Sequence, residues 1–231
     1  MKKGDLKRQE IIRTAEYLFT RFGYEATSVQ DILDELHTSK GSFYHHFVSK
    51  EALLKEICRI HAKSGAENMA ADSGVNDSTL DKLNHLLSGM IPFSGEKISF
   101  LMMILPVFDQ PEGTSLRTFY EQELTDTYFE QAAMLLASGT EEGIFSCSRS
   151  DFFAETILRL SNRLWLKVCD YMLACEKDNS DIDYSELMNV VSQYRLAVER
   201  LLCAPFGSIE LITMSHLRFV SDQIHQHWKQ P

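Results

Sequence analysis

Proline and glycine are scarce in this chain, five and eleven among 231 residues, and long stretches contain neither. That scarcity argues against a turn-rich β protein and for helices. Cysteine is thin too. Cys58, Cys147, Cys169, Cys175 and Cys203 are odd in number and form no Cys-x-x-Cys pair. A disulfide framework is therefore not expected, and the thiols read as small apolar groups packed in a reduced state. No apolar run exceeds the nine residues from Phe100 to Phe108, too few to cross a bilayer. The charged start, Met1-Lys2-Lys3-Gly4-Asp5-Leu6-Lys7-Arg8, has no apolar stretch behind it, so no export leader is read there. The expectation is a cytoplasmic protein with no membrane partner.

The signatures of an enzyme are missing as well. There is no nucleotide-binding glycine loop, no pair of metal-ligating histidines at helical spacing and no nucleophile motif. Hence no catalytic residue, cofactor or metal is expected. His216, His225 and His227, close together near the end, read as surface residues rather than a metal site.

What is present is ample core material, with 44% hydrophobic residues, and an uneven charge. The net charge is −10, which suits DNA poorly. Yet residues 1–60 hold ten basic against nine acidic side chains, and the remainder holds 13 against 24. An acidic body repelled by a polyanion leaves contact to a near-neutral head.

Periodicity places helices throughout. Ile11/Ile12, Ala15, Leu18/Phe19 and Phe22 form one apolar stripe over residues 5–23, stopped by Gly23, which takes a left-handed backbone cheaply. Ser28 caps a second helix, with Asp31 at the reinforcing position and Val29, Ile32, Leu33 and Leu36 on its apolar side. A third runs over 39–46 with Phe43 and Phe47 inward, and Ser49 caps a fourth to about Ala71. After a turn-rich break at 72–78, helices are expected at about 79–91, 96–108, 114–138, 151–176, 184–203 and 208–228. The fold class is all-α.

Three short helices before residue 48, the last two separated by a three-residue turn, fit a helix-turn-helix, whose final helix enters the major groove. The more specific signal is Thr38-Ser39-Lys40-Gly41-Ser42-Phe43-Tyr44-His45-His46-Phe47 followed by Ser49-Lys50-Glu51-Ala52-Leu53-Leu54. With Ala15-Glu16-Tyr17-Leu18-Phe19, Phe22-Gly23-Tyr24, Ala26-Thr27-Ser28-Val29 and Asp31-Ile32, it closely resembles the tetracycline-repressor (TetR-like) family of transcriptional regulators over about residues 8–55. The resemblance implies a DNA-binding head at 1–48 and a larger helical effector-binding and dimerisation domain at 49–231, connected by the helix at 49–71. The family usually carries glycine where this chain has His37; a left-handed backbone there would strain a histidine.

The chemistry of the head agrees with the resemblance. Gly41 permits close backbone approach, Lys40 reaches a phosphate or a guanine edge, and Tyr44 and His45 suit phosphate oxygens. Thr27, Ser28 and Lys50 lie at helix starts, where free N–H groups attract phosphate. With Ser39 and Ser42 in the first turn of the reading helix, these nine are the candidate DNA contacts. Ser28 and Ser49 also read as simple caps.

Two seams of seven-residue type follow: Phe153, Ile157, Leu160, Leu164, Val168 and Tyr171, then Leu187, Val191, Tyr194, Val198 and Leu201. They suit shallow helix packing and, by the resemblance, a homodimer interface; internal core is the competing reading. Two heads on a two-fold axis would read both halves of a palindrome in double-stranded DNA. The resemblance also implies a small-molecule effector in an apolar cavity, for which Phe100, Met103, Phe119, Tyr120, Glu123 and Trp165 are candidates. The expected whole is a ligand-responsive repressor.

Overall fold

The structure, a computed structural model, describes residues 3–72, 77–93, 95 and 97–228. Among the described residues every regular element is helical. In chain order they are α1 (Lys3–Phe22), α2 (Val29–Glu35), α3 (Lys40–His46), α4 (Lys50–Asp72), α5 (Thr79–Met90), α6 (Lys97–Phe108), a single 3₁₀ turn at Pro111–Gly113, α7 (Thr114–Glu141), α8 (Ser150–Asp178), α9 (Tyr184–Leu202) and α10 (Met214–Trp228). Residues 73–76, most of the expected break at 72–78, lie outside the described residues. No helix among them is long and apolar enough to cross a membrane.

The chain forms two compact units. One comprises Met1–His61 with Ser99–Tyr120, the other Ala62–Ile98 with Glu121–Pro231. In the first, α1 packs on α2 and α2 on α3. Ile11, Ile12, Ala15, Leu18 and Phe19 of α1, Ile32 and Leu33 of α2, and Phe43 and Phe47 are all buried. Each fully buried aliphatic or aromatic side chain contributes about 1.5–3 kcal/mol, so a head this small depends on every one. Gly23 ends α1 with φ +87°, its amide donating to the Phe19 carbonyl at 2.9 Å.

Side-chain caps define the short helices. Ser28 accepts from the Asp31 amide at 3.2 Å, while the Asp31 carboxylate accepts from the Ser28 amide at 2.7 Å. That reciprocal box satisfies two helix-end donors and is worth about 0.5–2 kcal/mol. Ser39 caps α3 by accepting from the Ser42 amide, and Ser49 caps α4 by accepting from the Ala52 amide.

In the second unit α8 packs against α9, α10 and α5. The two seams divide. Ile157, Leu164, Val168, Leu187, Val191 and Val198 are buried within the single chain. The other five seam residues, Phe153, Leu160, Tyr171, Tyr194 and Leu201, are half-buried.

The last helix also differs from expectation. It begins at Met214, and residues 208–213 are not helical. Two side chains hold that segment. The buried Glu199 carboxylate accepts from the amides of Gly207 (2.9 Å) and Ile209 (3.3 Å). Asn84 donates to the Ser208 carbonyl (2.8 Å) and accepts from the Glu210 amide (2.9 Å). Backbone groups bonded outside the segment do not need a helix, and Ile209, Leu211 and Ile212 still bury their side chains.

Candidate nucleic-acid interface

The turn between α2 and α3 sets the angle of the third helix. His37 lies at φ +47°, as the missing glycine foreshadowed. Its amide donates to the Asp34 carbonyl at 3.2 Å and that of Thr38 to the Leu33 carbonyl at 3.0 Å. This is a Schellman closure, which requires a left-handed residue at the position histidine occupies.

α3 is two-faced. Phe43 is fully buried and Phe47 nearly so, with ring centroids 6.0 Å apart. On the other side Lys40, Gly41, Tyr44 and His45 are exposed, Tyr44 at 46%. The Lys40 ammonium lies 5.9 Å from the centre of the Tyr44 ring, one helical turn away, so cation and phenol present a joint surface. Gly41 is open: a Cβ there would meet only the Ser39 hydroxyl, at 3.9 Å. Intramolecular packing therefore gives no reason for a glycine.

The remaining candidates divide. Ser28 and Ser39 are exposed and Ser42 half-buried. Thr27 is 2% exposed. Its hydroxyl turns inward, donating to the Gly23 carbonyl at 2.8 Å with the Leu18 carbonyl 3.4 Å away. Lys50 also turns inward. Its ammonium donates to the carbonyls of Tyr24 (2.8 Å) and Thr27 (3.0 Å) and sits 4.1 Å from the centre of the Tyr24 ring. Burial pushes its pKa below the ordinary lysine value, against the pull of Glu25. Thr27 and Lys50 clamp the loop that carries Ser28.

Other residues of this face were not picked out by motif. Val48, 81% exposed, adjoins the third helix. Lys7 and Arg8 on α1 contribute positive charge at His46, whose pKa is lowered first by burial, then by His45, Arg8 and Lys7. Arg8 also pairs with Glu56 at 2.8 Å and covers the Phe47 ring at 5.1 Å. A basic pair at the start of α1 was visible in the sequence; its proximity to α3 required the fold.

The candidate effector residues fall in both units. In the first, Phe100, Met103 and Tyr120 are buried, and Phe100 stacks on the His61 ring with centroids 4.0 Å apart. Phe100 and Tyr120 are 5.3 Å apart, and Lys55 and Arg59 lie over the half-buried Phe119 ring at 5.7 and 5.4 Å. His61 also bonds Glu16 of α1 at 2.6 Å. In the second unit Glu123 is half-buried. Trp165 is fully buried and donates to the Asn162 side chain at 3.3 Å, which in turn donates to the Glu121 carbonyl and the Thr125 hydroxyl.

A capped three-helix head with a short turn and an outward basic-aromatic helix defines a helix-turn-helix DNA-binding regulator. The family model for bacterial regulatory proteins of the tetR family matches residues 11–57. The HTH-type transcriptional repressor KstR2 of Rhodococcus jostii is 30% identical over 169 residues, 70% of this chain and 78% of that protein. The HTH-type transcriptional regulator YerO of Bacillus subtilis is 28% identical over 141 residues, 60% of this chain but 48% of its own length. A TetR-family regulator from Pectobacterium atrosepticum has the same fold, with TM-score 0.62 at 15% identity, over 89% of this chain and 100% of that one. The chain belongs to the TetR family of transcriptional regulators, which act by binding DNA and not as enzymes.

Proposed function

We propose that this regulator is a ligand-responsive repressor that grips a palindromic site in double-stranded DNA as a homodimer. The observation that carries the reading is the outer face of α3. Lys40, Gly41, Tyr44 and His45 are exposed together, and Gly41 has open space where a side chain would stand. Ser28, Ser39 and Ser42 flank that face. Thr27 and Lys50 serve it by fixing the loop before α2. One head offers few phosphate contacts; two joined heads multiply affinity through effective concentration. The half-exposed stripe Phe153, Leu160 and Tyr171 on α8, with Tyr194 and Leu201 on α9, supports pairing of two subunits. The repressor named among the relatives supports the sign of control.

Effector response is supported by a continuous set of contacts in the first unit. Glu16 of α1 bonds His61 of α4, and His61 stacks on Phe100 of α6. A ligand that moves α6 or α4 thus bears directly on the head, provided it binds the two arrangements unequally.

The test is a gel-shift series with DNA flanking the protein's own gene, at several salt concentrations. Specific binding with a steep salt slope is expected. Lys40→Ala should weaken it by about 1–3 kcal/mol, and should reduce the slope by about one if it touches phosphate. Binding that is independent of sequence, or unchanged by Lys40→Ala and Tyr44→Phe together, overturns the reading.

A further inference from the structure

In the second unit, four consecutive helices bring one polar cluster together. Tyr128 of α7 is almost fully buried, and its hydroxyl donates to the Gly89 carbonyl of α5 at 3.1 Å. The Lys97 ammonium, at the start of α6, donates to the same carbonyl. Gly65 of α4 completes the group. A Cβ there would stand 2.6 Å from the Tyr128 hydroxyl and 3.0 Å from the Lys97 nitrogen, so any larger residue would press on both polar atoms.

The electrostatics of the cluster are unbalanced. Lys97 is half-buried and has no carboxylate partner among the described residues. An ammonium carries three N–H donors, and its one acceptor among the described residues is a neutral carbonyl shared with a phenol. Gly89 lies in the last turn of α5, and the end of a helix supplies only about half a negative charge. Desolvation holds the lysine's pKa below its ordinary value. A desolvated charge of this kind is costly unless an opposite charge joins it. Ile91, Phe93 and Ile98, neighbours in sequence, are buried and apolar.

We infer that Lys97 and Tyr128 form the anion-recognising end of the effector site, and that the effector is an organic carboxylate with an apolar body. Its carboxylate accepts the free N–H bonds of Lys97, while the Tyr128 hydroxyl fixes the lysine through Gly89. Both atoms are held before the ligand arrives, so little ordering entropy opposes binding. The inference rests on the effector response proposed above and adds the chemistry of the effector to it.

The experiment uses the full-length protein with acetate, benzoate and decanoate, each set against the alcohol of the same carbon skeleton. Calorimetry measures binding, and fluorescence anisotropy measures release from the bound DNA. At least one carboxylate should bind about tenfold or more tightly than its alcohol, and Lys97→Met should abolish that preference. Tyr128→Phe, which removes only the hydroxyl, should weaken carboxylate binding severalfold and gives a second measure if Lys97→Met folds poorly. A lysine that merely caps α5 would leave acid and alcohol binding alike, and that result overturns the assignment. Failure of all three carboxylates to bind overturns it too. If alcohols or amines bind and release DNA while carboxylates do not, the effector response stands and the anion assignment falls. If no compound of any charge changes DNA affinity, the effector response itself fails.

Discussion

The Thr38 amide donates to the Leu33 carbonyl across five residues, at 3.0 Å, and this bond holds His37 at φ +47°. The left-handed region costs a residue with a Cβ about 1–3 kcal/mol where the surroundings enforce it. His37→Gly should therefore raise the stability of the head by about 1 kcal/mol after the glycine's greater unfolded entropy is subtracted. Urea denaturation followed by circular dichroism measures it. A loss of stability would mean that the imidazole makes a contact worth more than the strain.

Gly41 separates folding from function. A methyl group at this position meets only the Ser39 hydroxyl, at 3.9 Å, and alanine is a better helix former by up to about 1 kcal/mol. Gly41→Ala should leave the melting temperature equal or higher and weaken DNA binding about tenfold, because the added carbon stands between backbone and duplex. Unchanged affinity would remove α3 from the closest part of the interface.

Much of this was legible beforehand, for identifiable reasons. Helix starts at Val29 and Lys50 followed from Ser28 and Ser49, because caps are local chemistry. The outward setting of Lys40 and Tyr44 followed from Phe43 and Phe47, because one helix has only two sides. What escaped was non-local. Thr27 and Lys50 look like surface donors in sequence, yet their acceptors are carbonyls of the α1–α2 loop, up to 26 residues away. The seams of α8 and α9 have a periodicity that does not distinguish a neighbour in the same chain from one in a second copy. Residues 208–213 lost their helix to Glu199 and Asn84, the second of them 124 residues distant from Ser208.

The cap of α2 makes the head acid-sensitive. Asp31 accepts from the Ser28 amide and hydroxyl, both at 2.7 Å, and these bonds hold its carboxyl below the ordinary aspartate value. A lowered folded pKa contributes stability that is complete above the unfolded value, about 4, and is lost as pH falls through the folded one. The stability advantage of the native chain over Asp31→Asn should thus be full at neutral pH and shrink as pH drops below about 4. Urea titrations at several pH values follow it. An advantage that stays constant would assign the carboxylate's effect to something other than its charge.

The proposed subunit pairing would use the surface of α8 and α9 and not their core. Leu160 and Tyr194 are half-buried in the single chain, whereas Leu164 and Val168 have no exposed surface. Leu160→Glu with Tyr194→Glu places four like charges across a two-fold contact, so a folded monomer is expected, with weakened binding to the palindrome. Leu164→Glu instead buries an unpaired carboxylate and should cost more than about 3 kcal/mol of stability. Light scattering after size exclusion reports the mass, and circular dichroism reports the fold. A double variant that remains a dimer would move the interface off this stripe, and a Leu164→Glu chain that stays folded but monomeric would return Leu164 to the contact surface.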